Sequence, residues 1–351
     1  MEINKSEVGI LIAVRMKSSR LKSKALAEIV GKPLIVHLIE RMSMVKNAEK
    51  MVLCTSTHPD DSILLDVAAD NNIDAFAGDE LDVMKRFIDS ADLHNFKYVV
   101  RVTGDNPLTD PDNIDRMIEE HIKNGYNFTK SEYLPLGVNA EVVSLETLKK
   151  AHSLAQDSSL TEYMTSYLKR PDIFNIHTIE NNEPFFKNRE LIRLTVDFDE
   201  DLQVMNHIYG ELYDTKPKFK TKAVLEYLDS NQHILDINDN MLENPLPKIK
   251  FKGETEYDKK MIIIGNSFDS YIKDKVETIK KLEKYEIVGF FNYKTSQQYS
   301  LIDGIPTLGD VRNIEKVNFS ADYFITAFAD NNLNQEYSKH LSEMGLECVE
   351  I

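Results

Sequence analysis

The chain has 351 residues, a formal net charge of −16 at pH 7 and 28% charged residues, a length that suits two domains with ample core rather than one. The acidic balance argues against a nucleic-acid backbone or an anionic membrane as the main partner. No run approaches the eighteen or so apolar residues of a membrane helix and no signal-type segment opens the chain, so the cytoplasm is the expected location.

The first element is an apolar, β-branched run from Val8 to Val14, which reads as a buried strand. A loop with five cations follows: Arg15, Lys17, Arg20, Lys22 and Lys24. A solvated surface loop would account for that density, and so would a cradle for a polyanion such as a triphosphate. Leu34, Ile35, Leu38, Ile39 and Met42 then recur at helical spacing behind Pro33. Strands are expected at Met51–Thr55, Ile73–Phe76 and Tyr98–Thr103, with helices between them. One starts at Pro59 and carries Ile63, Leu64, Val67 and Ala68; the other carries Leu81, Met84, Phe87 and Ile88. This alternation implies a largely parallel sheet covered on both faces.

The next loop reads TGDNPLTDPDNID, in which Asp105 is either a turn residue or a carboxylate presented at a strand end. Asp110 and Pro111 cap a helix to Asn124. A helix is expected over Ser159–Lys169 and a strand over Leu191–Val196, the latter ending in Asp197. Asp199, Glu200 and Asp201 suit the N-terminus of the helix that follows, where the dipole favours acids. Cys54 and Cys348 lie in apolar runs without a Cys or His at ligand spacing, so inert thiols are expected. The segment 236–259 is polar, with Pro245, Pro247 and Gly253, and separates a domain 1–235 from a domain 260–351. The second domain restarts as strand, turn and helix at MIIIGNSFDSYIKDKV, with one glycine, Gly265, where a phosphate cradle would want more.

The order A-x-R-M-x-S-x-R-L-x-x-K followed by GKPL, on Ala13, Arg15, Met16, Ser18, Arg20, Leu21, Lys24 and Gly31–Leu34, resembles the sugar-activating cytidylyltransferases. These include the 3-deoxy-manno-octulosonate and acylneuraminate enzymes and, most closely, the spore-coat polysaccharide branch. The resemblance runs from Val8 to Leu228. It implies an α/β fold of the nucleotide-diphospho-sugar transferase (GT-A) type, a mixed and mainly parallel sheet covered by helices. The second domain is similar to the small Rossmann-like N-terminal domain of sialic-acid-type sugar acyltransferases, without their hexapeptide-repeat catalytic helix. A docking, regulatory or oligomerisation role is expected of it.

The resemblance implies transfer of CMP from CTP to a sugar acid or a phosphorylated or phosphonate acceptor, with Mg²⁺ as cofactor, pyrophosphate as product and a homodimer as the assembly. Arg15, Lys24, Asp105 and Asp197 would be catalytic, and Asp105 and Asp197 would hold the metal. Ala13, Val14, Arg15, Arg20, Lys24, Gly78, Asp82, Arg86 and Thr103 would border the nucleotide. Gly137, Asn139, Glu141, Glu162 and Arg193 would face the acceptor, although a structural salt bridge accounts for Arg193 equally well. Relatives carry a Glu-His pair where this chain has Glu162 and Tyr163. Two other readings stay open: a nucleotidyltransferase for GTP or UTP, and a non-catalytic nucleotide-sugar-binding regulator.

Overall fold

The computed structural model describes residues 3–17, 20–132, 134–180, 186, 189, 191–214, 218–239, 241, 246–247, 249–252, 259–266, 270–282, 284–293, 301–302, 305–317 and 321–349. Ser18, Pro245, Gly253 and the Ser267–Asp269 part of the second domain's first turn fall outside these residues. By its contacts the chain divides into Met1–Glu243 and Asn244–Ile351.

In the first unit, strand β1 (Val8–Ala13) is central because Ile10, Leu11 and Ile12 are all buried, so both of its faces are covered. A two-stranded hairpin, β2 (Glu28–Ile29) and β3 (Lys32–Pro33), leads into α1 (Leu34–Met42). Then come β4 (Lys50–Ser56), α2 (Ile63–Asp70), β5 (Asp74–Gly78), α3 (Val83–His94), β6 (Tyr98–Thr103), α4 (Pro111–Asn124) and β7 (Phe128–Glu132). They are followed by β8 (Glu141–Ser144), α5 (Leu145–Leu154), α6 (Met164–Leu168), β9 (Ile176–Glu180), α7 (Asp199–Leu212) and α8 (Thr221–Ser230). The sheet order is β5-β4-β1-β6-β8-β7-β9. The β4–β5, β1–β4, β1–β6 and β7–β9 pairs are parallel, and β8 runs antiparallel to both β6 and β7.

Ile10, Ile12, Val100 and Val102 on one face pack with Ile35, Leu38 and Ile39 of α1 and Ile114, Met117 and Ile118 of α4. The other face of β1 and β6 carries Gly9, Leu11 and Ala13 beside Val99, Arg101 and Thr103, in register. It is apolar at Leu11 and Val99 and turns polar toward the carboxyl ends. α4 starts as its sequence requires, with Asp110 Oδ1 accepting from the Asn113 amide at 3.0 Å and Pro111 in the first turn.

Three expectations need correction. Leu81 precedes α3 and is exposed, because Asp82 caps the helix and starts it at Val83. Ser158–Tyr163 is a 3₁₀ turn, and α6 begins only at Met164, so the expected 159–169 helix is broken. Leu191–Val196 is not a sheet strand. Among the described residues its β-type pairing is one parallel bridge, Leu136 to Arg193, in which the Leu136 amide donates to Ile192 O and the Leu194 amide to Leu136 O. Its alternation is real, since Ile192, Leu194 and Val196 are buried against α7 and α8, but among the described residues a single bridge does not extend into a ladder.

The second unit has β10 (Lys259–Gly265), α9 (Ser270–Lys281), β11 (Tyr285–Asn292), β12 (Leu301–Ile302), β13 (Ile305–Asp310), β14 (Tyr323–Thr326) and α10 (Asn331–Glu343), in sheet order β12-β13-β11-β10-β14. All its pairs are parallel except β12–β13. Met261 and Ile263 pack with Ile272, Val276 and Ile279 of α9, and Ile262 and Ile264 pack in the core that holds Leu341 of α10, so this sheet too is covered on both faces. After α10, Cys348 forms a single parallel bridge with Phe324 of β14. No helix among the described residues is long and apolar enough to cross a membrane.

Candidate functional site

The site forms where the carboxyl ends of β1 and β6 meet the strap 191–197. Gly104 closes the turn after β6 against the loop after β1, its amide donating to Ala13 O at 2.8 Å. A Cβ there would lie 2.7 Å from Val14 Cβ, so only glycine allows this approach. The Val196 amide donates to Asp105 O at 3.0 Å, tying the strap to the β6 turn. These bonds bring Asp105 and Asp197 together from distant parts of the chain.

Lys24 lies between the two carboxylates, its Nζ donating to Asp105 Oδ2 at 2.8 Å and to Asp197 Oδ1 at 2.9 Å. Arg20 Nη2 reaches the same Asp197 oxygen at 2.8 Å, and Arg193 Nη2 reaches Oδ2 at 3.0 Å. Phe198 provides a shared platform, with the Arg20 and Arg193 guanidinium carbons 5.3 and 5.6 Å from its ring centre. Burial works to raise the Asp105 carboxyl, but the Lys24 ammonium and the Thr103 hydroxyl outweigh it and hold that carboxyl below the usual carboxylate range. Burial likewise works to lower Lys24, and its two aspartates outweigh that and raise it. The Lys24 ammonium and the Asp105 carboxylate are therefore charged at neutral pH.

Asp201 organises this cluster and is not legible as such in the sequence. Fully buried, it accepts from the Asp197 and Phe198 amides at 2.8 and 3.0 Å, from Arg193 Nε at 2.8 Å and from Asn238 Nδ2 at 2.8 Å. Asp61 plays a similar part at the basic loop, accepting from the Met16 amide at 2.7 Å while its other oxygen holds Ser56. Arg15 extends from that loop to Glu162 at 2.9 Å in a half-exposed pair. Tyr163 adjoins it, its phenol raised by burial and by Glu162.

The remaining residues singled out from the sequence occupy three neighbouring places. Ala13 O and the Val14 amide are taken by the Gly104 amide and Cys54 O, so these two groups serve the strand. Arg86 is buried and donates to the carbonyls of Asp79 and Glu80, fixing the loop after β5. A Cβ on Gly78 would lie 2.9 Å from Arg86 Cγ. Asp82 caps α3, accepts from Thr161 Oγ1 at 2.8 Å and contacts His152 Nε2 at 2.7 Å, so this loop is fastened to the segment carrying Glu162. Toward the antiparallel half of the sheet, Gly137 has φ +91° and a Cβ there would lie 2.4 Å from Leu194 O, which fixes how closely the strap approaches. Asn139 Oδ1 accepts from Ser131, and Glu141 accepts from Arg101 Nη1 at 2.9 Å and Thr165 Oγ1 at 2.7 Å.

A strand-end crevice with converging arginines, a lysine and two aspartates belongs to the nucleotidyltransferase class of α/β proteins. Residues 9–234 match the cytidylyltransferase family, and the chain belongs to it. It is therefore a nucleotidyltransferase. It is 27% identical over 232 residues to the spore coat polysaccharide biosynthesis protein SpsF of Bacillus subtilis, covering 64% of this chain and 95% of that one. It is 35% identical over 124 residues to 3-deoxy-manno-octulosonate cytidylyltransferase of Neisseria meningitidis, covering 34% of this chain and 47% of that one. The solved structure of a cytidylyltransferase from Leptospira borgpetersenii superposes with a TM-score of 0.62 at 24% identity, covering 68% of this chain and 99% of that one, which shows the shared fold.

Proposed function

We propose that this chain transfers CMP from CTP to a small anionic sugar-type acceptor, a sugar acid or a phosphorylated or phosphonate compound, with release of pyrophosphate, in the synthesis of a surface-glycan precursor. The observation that carries the reading is the Lys24 ammonium held between Asp105 and Asp197 beside Arg20. Here a single cation is already gripped by two hard oxygen donors. Family membership and the relatives named for sugar-acid cytidylyl transfer and for spore-coat polysaccharide synthesis support the same reading.

Asp105 and Asp197 also suit Mg²⁺, which takes one or two carboxylates and completes its shell with water and substrate phosphate oxygens. Among the described residues no group of three or more His, Cys, Asp or Glu offers an all-protein metal cage. Once bound there, Mg²⁺ would supply charge neutralisation at the α-phosphate and acidify the acceptor hydroxyl.

The protein's own contribution is positioning and electrostatics, and this chemistry calls for no covalent nucleophile. Arg15, Arg20 and Lys24 bind the triphosphate, the arginines through planar contacts and the lysine as a point charge. They offset the charge that builds on the departing pyrophosphate. Arg193, locked by Asp201, holds Asp197 in the orientation it needs, which gives that residue a positioning role. The loop 78–82, made rigid by Arg86, borders the base. Pyrophosphate release assayed with CTP, GTP, UTP and ATP against sugar acids and sugar phosphates tests the reading. CTP-selective release is expected, and release with a purine nucleotide in its place would contradict it.

A further inference from the structure

On the polar face of β6, one side chain separates the core residue Val99 from Thr103 at the site: Arg101. Two strand residues span about 6.6 Å, so Arg101 lies just inside the crevice. Its register partner on β8 is Glu141, and the two form an ion pair at 2.9 Å. Thr165 of α6 joins both, accepting from Arg101 Nη1 at 3.2 Å and donating to Glu141 Oε1 at 2.7 Å. One helical turn further on, the Lys169 amide donates to Thr165 O, so Lys169 stands on the same side of the helix, toward the sheet.

Lys169 is half-buried and its ammonium has no ion-pair or hydrogen-bond partner among the described residues. Arg101 Nε is buried and also lacks a hydrogen-bond partner among them. Lys130, on the adjacent strand β7, is paired with Glu132. Arg101, Lys169 and Glu141 together carry one positive charge in excess, and Lys130 with Glu132 adds none. Burial pushes the Lys169 ammonium below the ordinary lysine value, and Lys130 and Arg101 push the same way against Glu141 and Glu132. An unpaired, partly desolvated ammonium is costly unless something neutralises it. A lysine that merely covers apolar surface keeps its head in water, whereas burial costs this ammonium part of its hydration.

We propose that Lys169 and Arg101 form the subsite that binds the oxyanion of the acceptor, a carboxylate or a phosphate, with Glu141 and Thr165 holding Arg101 in place. The inference rests on the nucleotidyltransferase reading and adds residues to it that neither the motifs nor the resemblance single out. Glu141 then serves the acceptor indirectly, by positioning Arg101. The anionic group is anchored about two strand residues below Thr103, which leaves the rest of the acceptor to extend toward Asp105 and Asp197.

The test is calorimetric titration of the full chain with inorganic phosphate and, separately, with gluconate, both with CTP present and without it, and with no metal added. Wild type is compared with Lys169→Met and Lys169→Arg, each checked for an unchanged thermal midpoint. One oxyanion is expected to bind wild type at least roughly tenfold more tightly than Lys169→Met. Lys169→Arg should restore most of that affinity, and all three proteins should bind CTP equally. Preference for gluconate identifies a carboxylate acceptor, and preference for phosphate a phosphorylated one. Equal oxyanion affinity in wild type and Lys169→Met, or no oxyanion binding at all, would overturn the subsite and leave the nucleotidyl-transfer reading standing. Failure of wild type to bind CTP in a further titration with Mg²⁺ supplied contradicts that reading instead, while the nucleotide-free titrations still judge the subsite.

Discussion

Two aspartates at the site have opposite consequences when removed. Asp105 meets Lys24 at the partly exposed side of the cluster, whereas Asp201 is wholly buried and answers five donors. Asp105→Ala and Asp197→Ala should each lower turnover by roughly a hundredfold or more, about 3 kcal/mol of transition-state stabilisation, with the fold intact by circular dichroism. Near-wild-type rates would remove them from the reaction. Asp201→Ala should instead unfold at lower urea, by about 3–5 kcal/mol, because it leaves the buried Arg193 guanidinium half-paired. Asp105 and Asp197 stand out in the sequence because each is the first acid past an apolar strand, and the family resemblance is what implied their role. Asp201 sits in a row of three helix-start acids, where spacing allows a bond back to the cap but composition cannot tell which acid is buried. Arg101 was passed over for a similar reason: a lone arginine inside a β-branched strand does not reveal which face it occupies.

Among the elements, the strands and helices with strong periodicity and clear caps were legible, as β6 over Tyr98–Thr103 and α4 over Pro111–Asn124 show. Segments whose shape depends on a neighbour were not. The strap 191–197 alternates like a strand, but strand identity needs a ladder, and among the described residues its one β-bridge is to Leu136. Its position depends on Gly137, so Gly137→Ala should cost more than about 1 kcal/mol in stability and reduce turnover together with it. Unchanged denaturation and activity would mean that the strap can retreat.

Helix α4 carries a separate pH signature. His121 is buried, its Nδ1 lies 2.9 Å from Thr129 Oγ1, and burial, with His177 adding to it, lowers it from 6.5 to about 4. Between those values the unfolded chain binds a proton that the folded chain does not, so stability is full above pH 6.5 and falls as pH drops toward 4. The urea midpoint of wild type should decline over this window more steeply than that of His121→Gln. Parallel declines would show that His121 is protonated in the folded state.

For the whole molecule, a net charge of −16 coexists with a crevice where Arg20, Lys24 and Arg193 converge. The acidic exterior keeps polyanions away in general, and the local field admits one that fits. Added salt should therefore raise the KM for CTP while kcat changes little, because screening acts on encounter more than on a desolvated site. Two separately cored α/β units were foreseeable from the polar stretch between them and the restart of strand, turn and helix at Met261. The role of the second unit was not, because its first turn has one glycine where a phosphate cradle would want more.

The measurement that bears most directly on the central claim is Mg²⁺-dependent pyrophosphate release by the full chain from each of the four nucleoside triphosphates, with sugar acids and sugar phosphates as acceptors and Asp105→Ala run in parallel. The account predicts release that is selective for CTP, needs one class of anionic acceptor, stops on chelation of the metal and is lost in the variant. Release that persists in Asp105→Ala, or a wild-type protein that binds no CTP with metal present, would contradict it.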